Sequence, residues 1–294
     1  MPADTKAASG YIAEKFNAGD GVPLFCRVWE QSGPLVGTVI IVHGMGEHSG
    51  RYVHVGKFFA ESGFRTIAFD QRGHGRSGGR RVFVKQYKAL GEDVSGIVNR
   101  FAGGFTFLFG HSFGGQVVLW TAQHFELKIT GLIVSAPWLA LTRPPPKWKV
   151  SLGRWLNTRW PGFRLPTGVR SESLSHDQAH LDSLEDLDLV HGFVTVGLFA
   201  QGESAATEIL STTRIGCPIL LAHGGEDELT SREAVEEYFS RLQAPSKTLK
   251  IYPGLRHELH NETKRVEVLS DYLGWMNSII QTGFLEREGA QNRH

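Results

Sequence analysis

The chain has 294 residues, of which 41% are hydrophobic and 21% charged, with a formal net charge of +1. These values are typical of one large globular domain, and the near-neutral charge excludes the strong field that attracts nucleic acid. The longest apolar runs are too short to cross a bilayer. Residues 1–10 lack the apolar core of a secretory signal, so we expect a cytoplasmic protein. Cys26 and Cys217 are too few for a disulfide framework, and we expect free thiols.

Short apolar runs alternate with helix-length segments along most of the chain. Residues 11–16 and 22–30 flank a glycine-containing turn and predict an N-terminal hairpin. Further strands are predicted at residues 36–42, 64–70, 105–110, 131–135, 218–223 and 247–252. Helices are predicted at residues 51–62, 82–100, 113–125, 231–242 and 262–281. This alternation indicates an α/β fold with a mostly parallel central sheet and helices on both faces.

One long segment interrupts the alternation. Residues 138–213 contain no clear strand, and three consecutive prolines stand near their start. We therefore predict a core domain of residues 1–137 and 214–294, with residues 138–213 inserted as a helical cap. Residues 138–170 carry seven Lys or Arg and no acidic residue, whereas residues 171–210 carry eight Asp or Glu and no basic residue. Charge is thus segregated within this one cap segment.

The basic part of the cap segment is rich in tryptophan. Trp148, Leu152, Trp155 and Leu156 follow helical spacing, and basic residues are interleaved with them. Two interpretations stay open. The apolar side chains could simply pack the cap onto the core. Alternatively, the helix could also rest on a lipid surface, because aromatic residues on one face and basic residues on the other are typical of interfacial helices. The second alternative predicts peripheral contact with a membrane.

The candidate nucleophile lies in the sequence Gly110-His111-Ser112-Phe113-Gly114, which matches G-x-S-x-G. The motif follows a predicted strand and precedes a predicted helix, which is the strand–turn–helix setting that it requires. Glycines on both sides leave room for a sharp turn that exposes the serine oxygen. We therefore predict that Ser112 is a nucleophile.

A serine hydroxyl needs a base, and in this fold the acid and the base follow the serine in that order. His257 stands after the last predicted strand and is the candidate base, with His260 as its rival. The acid should follow the strand at residues 218–223, where Glu226, Asp227 and Glu228 are adjacent. We predict that Asp227 orients His257 and that its two neighbours are solvated charges.

Attack of a serine on a carbonyl group produces an oxyanion, which two backbone N–H donors should stabilise. One should be the N–H of Phe113, directly after the nucleophile. The other should come from the loop after the buried strand at residues 36–42, which reads His43-Gly44-Met45-Gly46 and which we call the HG loop. Its glycines let backbone approach a substrate, and we predict that Met45 N–H is the second donor.

Together these motifs resemble the monoacylglycerol lipase and lysophospholipase branch of the α/β-hydrolases. The stretches that carry the resemblance are HGMGEHSGRY (43–52), DQRGHGRSGG (70–79), GHSFGG (110–115), HGGED (223–227) and YPGLRHELHNE (252–262). The resemblance implies an α/β-hydrolase fold with a cap over the active site. It also implies an acyl-enzyme mechanism with no metal and no organic cofactor. The expected reaction is hydrolysis of a small lipid ester, monoacylglycerol, with a lysophospholipid or a short-chain ester as alternatives.

The resemblance further implies that Glu47, Arg51 and His111 line the part of the pocket that receives the alcohol. Glu47 and Arg51 could equally form an ion pair that fixes their loop. Met45 and Phe113 depart from the residues common in this branch, but the predicted oxyanion contacts use their backbone, so the chemistry should be unaffected. Their bulk would narrow the acyl pocket.

Other functional classes fit the sequence less well. Residues 73–78 spell G-x-G-x-x-G, but no helix opens there, as a dinucleotide site requires. The arginines nearby lack interleaved aromatic residues, which argues against a nucleic-acid surface. The segment from His257 to His260 is one residue short of the zinc-protease motif H-E-x-x-H. An inactive binding protein on a hydrolase fold remains a distant alternative, and the oligomeric state stays open.

Overall fold

A computed structural model describes residues 10–184 and 186–291. Residues 1–9, which make up most of the segment judged to lack a secretory signal, lie outside the described residues. The strands are β1 (Ile12–Asn17), β2 (Pro23–Trp29), β3 (Gly37–Val42), β4 (Phe64–Phe69), β5 (Phe105–His111), β6 (Gly131–Ser135), β7 (Arg164–Pro166), β8 (Phe193–Thr195), β9 (Ile219–Gly224) and β10 (Lys247–Tyr252). The α-helices are α1 (Val53–Glu61), α2 (Lys88–Phe101), α3 (Phe113–His124), α4 (Lys147–Arg159), α5 (Ser171–Leu174), α6 (Gln178–Asp182), α7 (Val196–Ser211), α8 (Arg232–Arg241) and α9 (Arg265–Gln291).

Eight strands form one sheet in the order β1-β2-β4-β3-β5-β6-β9-β10. The hairpin β1–β2 joins the edge antiparallel, and the other neighbours run parallel. β3 reads GTVIIV with every residue buried, as expected for a parallel strand covered on both faces. One face carries α2, α3 and α8, and the other carries α1 and α9. The predicted mostly parallel α/β fold is therefore confirmed.

Three predicted helix boundaries were wrong. The last helix, expected to end at residue 281, continues to Gln291. The helix expected at residues 82–100 begins only at Lys88, and Val82 has a positive φ of 50°, which an α-helix excludes. The carbonyl of Val82 instead accepts a hydrogen bond from Thr195 Oγ1 in the cap segment. The helix expected from residue 51 begins as a short 3₁₀ turn, and α1 follows from Val53.

The cap segment lies between β6 and β9 and contains α4 to α7. The expectation that it holds no strand was wrong, because β7 and β8 pair antiparallel. Three-residue strands leave too short an apolar run to be recognised in a sequence. α7 packs on α3, and Trp138 and Leu139 are buried against the core. The start of the cap segment therefore belongs to the packed interior.

Polar contacts fasten a later part of the cap segment to the core. Asp186 accepts from Arg27 at 2.7 Å and from Arg76 at 2.7 and 2.9 Å. The backbone N–H of His191 donates to Gly46 O at 2.6 Å, so the cap segment contacts the HG loop directly. These contacts place residues 186–191 beside the carboxyl edge of the sheet.

Candidate active site

Ser112 occupies a strained turn between β5 and α3. Its φ of 54° and ψ of −117° lie outside the regions that a non-glycine residue normally occupies. Two glycines make the turn possible because backbone passes close by. A Cβ on Gly114 would lie 2.1 Å from Val42 O, and a Cβ on Gly110 would lie 2.5 Å from Gly114 O. The turn that carries Ser112 thus packs against the end of β3, and residues larger than glycine at positions 110 and 114 would displace it.

The structure brings Ser112, His257 and Asp227 into one hydrogen-bonded row. His257 Nε2 lies 2.9 Å from Ser112 Oγ, and His257 Nδ1 lies 2.7 Å from Asp227 Oδ2. A carboxylate only accepts hydrogen bonds, so Nδ1 carries the proton and Nε2 is free to take one from the serine. This is the arrangement that a general base needs. His260, the rival base, does not reach Ser112 and stacks on Tyr52 instead.

Asp227 is held in place by donors that sequence reasoning missed. Its Oδ1 accepts from the backbone N–H groups of Leu229 and Thr230 at 2.7 and 3.0 Å. Its Oδ2 accepts from Thr230 Oγ1 at 2.9 Å as well as from His257. The spacing Asp-x-x-Thr is a local signal for such side-chain-to-backbone bonds and could have pointed to Thr230. Glu226 is largely exposed, as expected of a solvated charge.

The charges of His257 and Asp227 favour one another. Burial alone would raise the pKa of Asp227, but the charge of His257 and its hydrogen bond outweigh this and lower the pKa. Burial alone would lower the pKa of His257, but Asp227 outweighs it, and Glu258 and Glu47 raise the pKa further. Both side chains are at least nine-tenths buried. The arrangement therefore stabilises an imidazolium, which is the form that His257 takes once it has accepted a proton.

The HG loop lies next to Ser112. A Cβ on Gly44 would lie only 3.3 Å from Ser112 Cβ, so this backbone approaches the serine as closely as packing allows. Phe113 is the first residue of α3, and its N–H has no acceptor within the helix. Met45 follows Gly44 in the HG loop and packs partly buried against the core. Both predicted oxyanion donors thus stand on segments that flank Ser112.

His43 orients this loop, a role that sequence reasoning did not assign. Its Nε2 accepts from Gln71 N–H at 2.9 Å, so its Nδ1 carries the proton and donates to Gly44 O at 2.8 Å. Burial, and then the nearby His74, lower the pKa of His43 to about 3, so the ring is neutral. The carbonyl of Gly44 and the N–H of Met45 belong to one trans peptide and point in opposite directions. The bond from His43 therefore directs Met45 N–H away from His43.

Glu47 and Arg51 form the ion pair that was one of the two alternatives. Arg51 Nε lies 3.2 Å from Glu47 Oε2, and both side chains are almost wholly buried. Arg51 also contacts Glu258, which was not singled out in the sequence, at 2.6 Å. His111 lies at the end of β5, with its ring centroid 4.8 Å from that of His257. All three residues predicted for the alcohol side therefore lie near the Ser112–His257 pair.

The glycine-rich segment at residues 73–78 is a loop rather than the start of a helix. Its arginines are engaged in ion pairs. Arg72 contacts Asp20 and Asp93, and Arg76 contacts Asp186. These contacts fix the loop, and none of its geometry is that of a dinucleotide site.

Comparison with known proteins gives the same family. Residues 33–264 match the model of the family described as serine aminopeptidase S33. The monoglyceride lipase of Rattus norvegicus is 30% identical over 89% of this chain and 89% of its own. An uncharacterized abhydrolase domain-containing protein of Dictyostelium discoideum is also 30% identical over 89% of this chain, but the match spans only 28% of that longer protein.

A solved structure is similar over nearly its whole length. The monoacylglycerol lipase of Paleococcus ferrophilus superposes with a TM-score of 0.80 at 29% identity, covering 87% of this chain and 99% of that one. The resemblance inferred from the motifs is thereby confirmed. This chain belongs to the serine aminopeptidase S33 family of α/β-hydrolases, in the branch that contains the monoglyceride lipases.

Proposed function

We propose that this chain is a serine esterase that hydrolyses monoacylglycerol to a fatty acid and glycerol. Ser112 Oγ attacks the ester carbonyl while His257 Nε2 takes its proton, and the N–H groups of Met45 and Phe113 hold the oxyanion. His257 then gives the proton to the departing glycerol oxygen. Water, deprotonated by His257, attacks the acyl-enzyme, and His257 gives that proton to Ser112 Oγ as the fatty acid leaves. Asp227 keeps the imidazole in the required tautomer throughout.

The observation that carries this proposal is the row of hydrogen bonds from Ser112 through His257 to Asp227, built on a strained turn. Strained backbone persists only where the surroundings hold it, and it is common at catalytic residues. The substrate class is supported by the relatives, since the similar proteins of Rattus norvegicus and Paleococcus ferrophilus are a monoglyceride lipase and a monoacylglycerol lipase. The enzyme class, a carboxylic ester hydrolase, follows from the family.

Glu47, Arg51 and His111 are proposed to border the glycerol. The space where Gly44 lacks a side chain is surrounded by Glu47 Oε1, Ser112 Cβ and His111 Cδ2, at 2.7, 3.3 and 3.5 Å from an ideal Cβ. These groups are thus within a few ångström of the nucleophile. A Gly44→Ala variant should lose activity, because the added methyl group would lie 2.7 Å from Glu47 Oε1 and force that carboxylate to move.

A fluorophosphonate probe and a hydrolysis panel test the proposal together. The probe should label wild type and not Ser112→Ala, and the panel should favour monoacylglycerol over lysophospholipids and short soluble esters. Faster turnover of lysophospholipids or of short soluble esters would reassign the substrate and leave the proposed mechanism unchanged. Absence of labelling in folded wild type would instead support the inactive binding protein and refute the enzyme.

We further propose that the cap segment docks on a lipid surface. Trp148, Leu152, Trp155 and Trp160 are 64%, 47%, 52% and 59% exposed, so a large part of each of these apolar side chains on α4 and at its end is uncovered. Exposed apolar patches of this kind mark interaction surfaces. Lys149 lies over the Trp148 ring, and its charge and that of Arg159, in the last turn of α4, are opposite to the charge of an anionic bilayer. None of the described helices combines the length and apolar character needed to cross a bilayer.

Vesicle co-sedimentation tests this docking. Wild type should bind phosphatidylglycerol-containing vesicles more than phosphatidylcholine vesicles, and salt should weaken binding. Trp148→Ala with Trp155→Ala should reduce binding and should impair turnover of long-chain monoacylglycerol more than of a soluble ester. The matched control is Leu35→Ala with Val266→Ala, which removes two apolar side chains that are also exposed but lie outside the cap segment. Equal effects of the two pairs would refute docking through α4.

A further inference from the structure

A buried row of three ionisable side chains connects two loops of the active site. Arg51 stands in the middle, with Nε 3.2 Å from Glu47 Oε2 and an Nη 2.6 Å from Glu258 Oε2. Glu47, Arg51 and Glu258 are 5%, 5% and 4% exposed. Arg51 and Glu258 are 207 residues apart in the chain, so this contact is made by the tertiary fold alone.

The two ends of the row are attached to groups beside the reacting atoms. At one end, Glu47 Oε1 accepts from the N–H of Gly44, in the HG loop, and from Tyr52 at 2.9 Å. At the other end, Glu258 is the neighbour of His257 in the chain. The row therefore runs from the HG loop to the loop that carries the base.

Glu258 is itself held firmly. Asn261 Nδ2 donates to its Oε2 at 2.7 Å, and its backbone N–H donates to Leu174 O in the cap segment at 2.8 Å. Its carboxylate thus has two donors, and its main chain has a third contact. A side chain fixed in this way can hold one loop at a defined distance from the other.

Stability alone does not account for such a row. Removing charges from water costs several kcal/mol per ion, and a buried ion pair often stabilises a fold no better than apolar residues of the same size. The need to hold the HG loop at a fixed distance from His257 accounts for the row better. Phe113 is adjacent to Ser112 in the chain, but Met45 stands on a separate loop, and only non-covalent contacts set its distance from His257. A misplacement of about 1 Å between reacting groups can slow a reaction about 100-fold.

We propose that Glu258 is a positioning residue, which through Arg51 and Glu47 holds the HG loop in register with His257. This inference rests on the proposed roles of Ser112, His257 and the HG loop. It adds that the base and the oxyanion donor are set by one shared ionic contact rather than independently.

Glu258 also has an electrostatic consequence that a purely structural contact lacks. The titratable and charged groups that face His257 or lie in its surroundings are His223 in β9, Asp227 after β9, His111 at the end of β5, Glu47 and Arg51 after β3, and Glu258 and His260 on its own loop. Of these, the carboxylates favour the charged imidazolium. Removing the charge of Glu258 should therefore lower the pKa of His257 and move the acidic limb of kcat/KM to lower pH.

Glu258→Gln tests the proposal because it keeps the shape and removes the charge. We expect kcat to fall about tenfold or more, with KM changed by less than about threefold, since positioning acts on the transition state. The acidic limb should move down by about half a pH unit. The affinity for a boronic acid transition-state analogue should fall in parallel with kcat/KM. Glu228→Gln is the matched control, because it removes a carboxylate next to Asp227 that is half exposed, and its kinetics should stay within about twofold of wild type.

Glu47→Gln perturbs the row from its other end. It should also lower kcat, whatever it does to KM through the proposed contact with the glycerol. The double variant should lose less in kcat than the product of the single losses, because both act through Arg51. If Glu258→Gln does not fold, by thermal melting, kcat and KM of Glu258→Asp decide, because this variant keeps the carboxylate but shortens its reach to Arg51.

Three results would overturn the inference. The first is a Glu258→Gln enzyme with the kinetics and pH profile of the control. The second is a loss confined to KM, which would make Glu258 a substrate-binding residue. The third is independent, multiplicative losses in the double variant. Failure of the proposed function is distinguishable, since Ser112→Ala would then keep its activity.

Discussion

Replacing Asp227 by Asn should disable the enzyme by moving one proton of His257 to the wrong ring nitrogen. In the wild type, Asp227 Oδ1 accepts from two backbone N–H groups, of Leu229 and Thr230, and Oδ2 accepts from His257 Nδ1. An asparagine has one oxygen and one NH₂ group at these positions. The oxygen must face the two fixed backbone donors, because an NH₂ group there would leave three donors together with no acceptor.

The NH₂ group of the variant then faces His257. It donates to Nδ1, which moves the imidazole proton to Nε2, and a protonated Nε2 cannot accept the proton of Ser112. Loss of the correct tautomer should slow turnover about 10⁴-fold, equivalent to about 5.5 kcal/mol of transition-state stabilisation. Both backbone hydrogen bonds persist, so the fold should be retained.

The assay is kcat for monoacylglycerol, with thermal melting as the check on folding. Glu226→Gln is the matched control, because it removes a neighbouring carboxylate that is 59% exposed, and we expect near-normal turnover. More than a tenth of wild-type activity in folded Asp227→Asn would refute the tautomer argument. A crippled Glu226→Gln would show that the acid has been assigned to the wrong carboxylate.

Three further outcomes follow from the same geometry. Ser112→Ala should reduce kcat by about 10⁴-fold to 10⁶-fold. Ser112→Gly should be equally inactive but more stable than Ser112→Ala by about 1 kcal/mol, because glycine adopts the positive φ without strain. Equal melting temperatures of the two variants would contradict the strain. Since Asp227 raises the pKa of His257 and the base acts when neutral, kcat/KM should rise with pH through a midpoint above the ordinary histidine value of about 6.5, and a midpoint below it would contradict the pairing. Burial lowers the pKa of His43 to about 3, so between about pH 6.5 and 3 the unfolded state binds a proton at this residue and the folded state does not. The free energy of unfolding should therefore fall as the pH drops through that range. The fall should be smaller in His43→Gln.

Much of the fold follows from local patterns in the sequence. Parallel strands buried on both faces are short continuous apolar runs, and the turn after β5 carries glycines because backbone passes within contact distance. Both features depend on neighbours in the chain, so they can be recognised without a structure. The order of serine, acid and histidine indicated which side chains to compare. The same local reasoning failed at Val82, where a contact with Thr195 in the cap segment accompanies a conformation that its own residue type disfavours.

The sequence by itself determined the fold class, the strand–turn–helix setting of Ser112 and the family to which the chain belongs. Only the tertiary structure decided which groups surround these residues. The approach of His257 to Ser112, the pairing of Arg51 with Glu258 and the bond from His43 to Gly44 beside the serine depend on where loops from different strands meet at one edge of the sheet. Such distances depend on how the whole core packs. No pattern of spacing encodes them, because a loop's composition sets what it can bind but not what lies opposite.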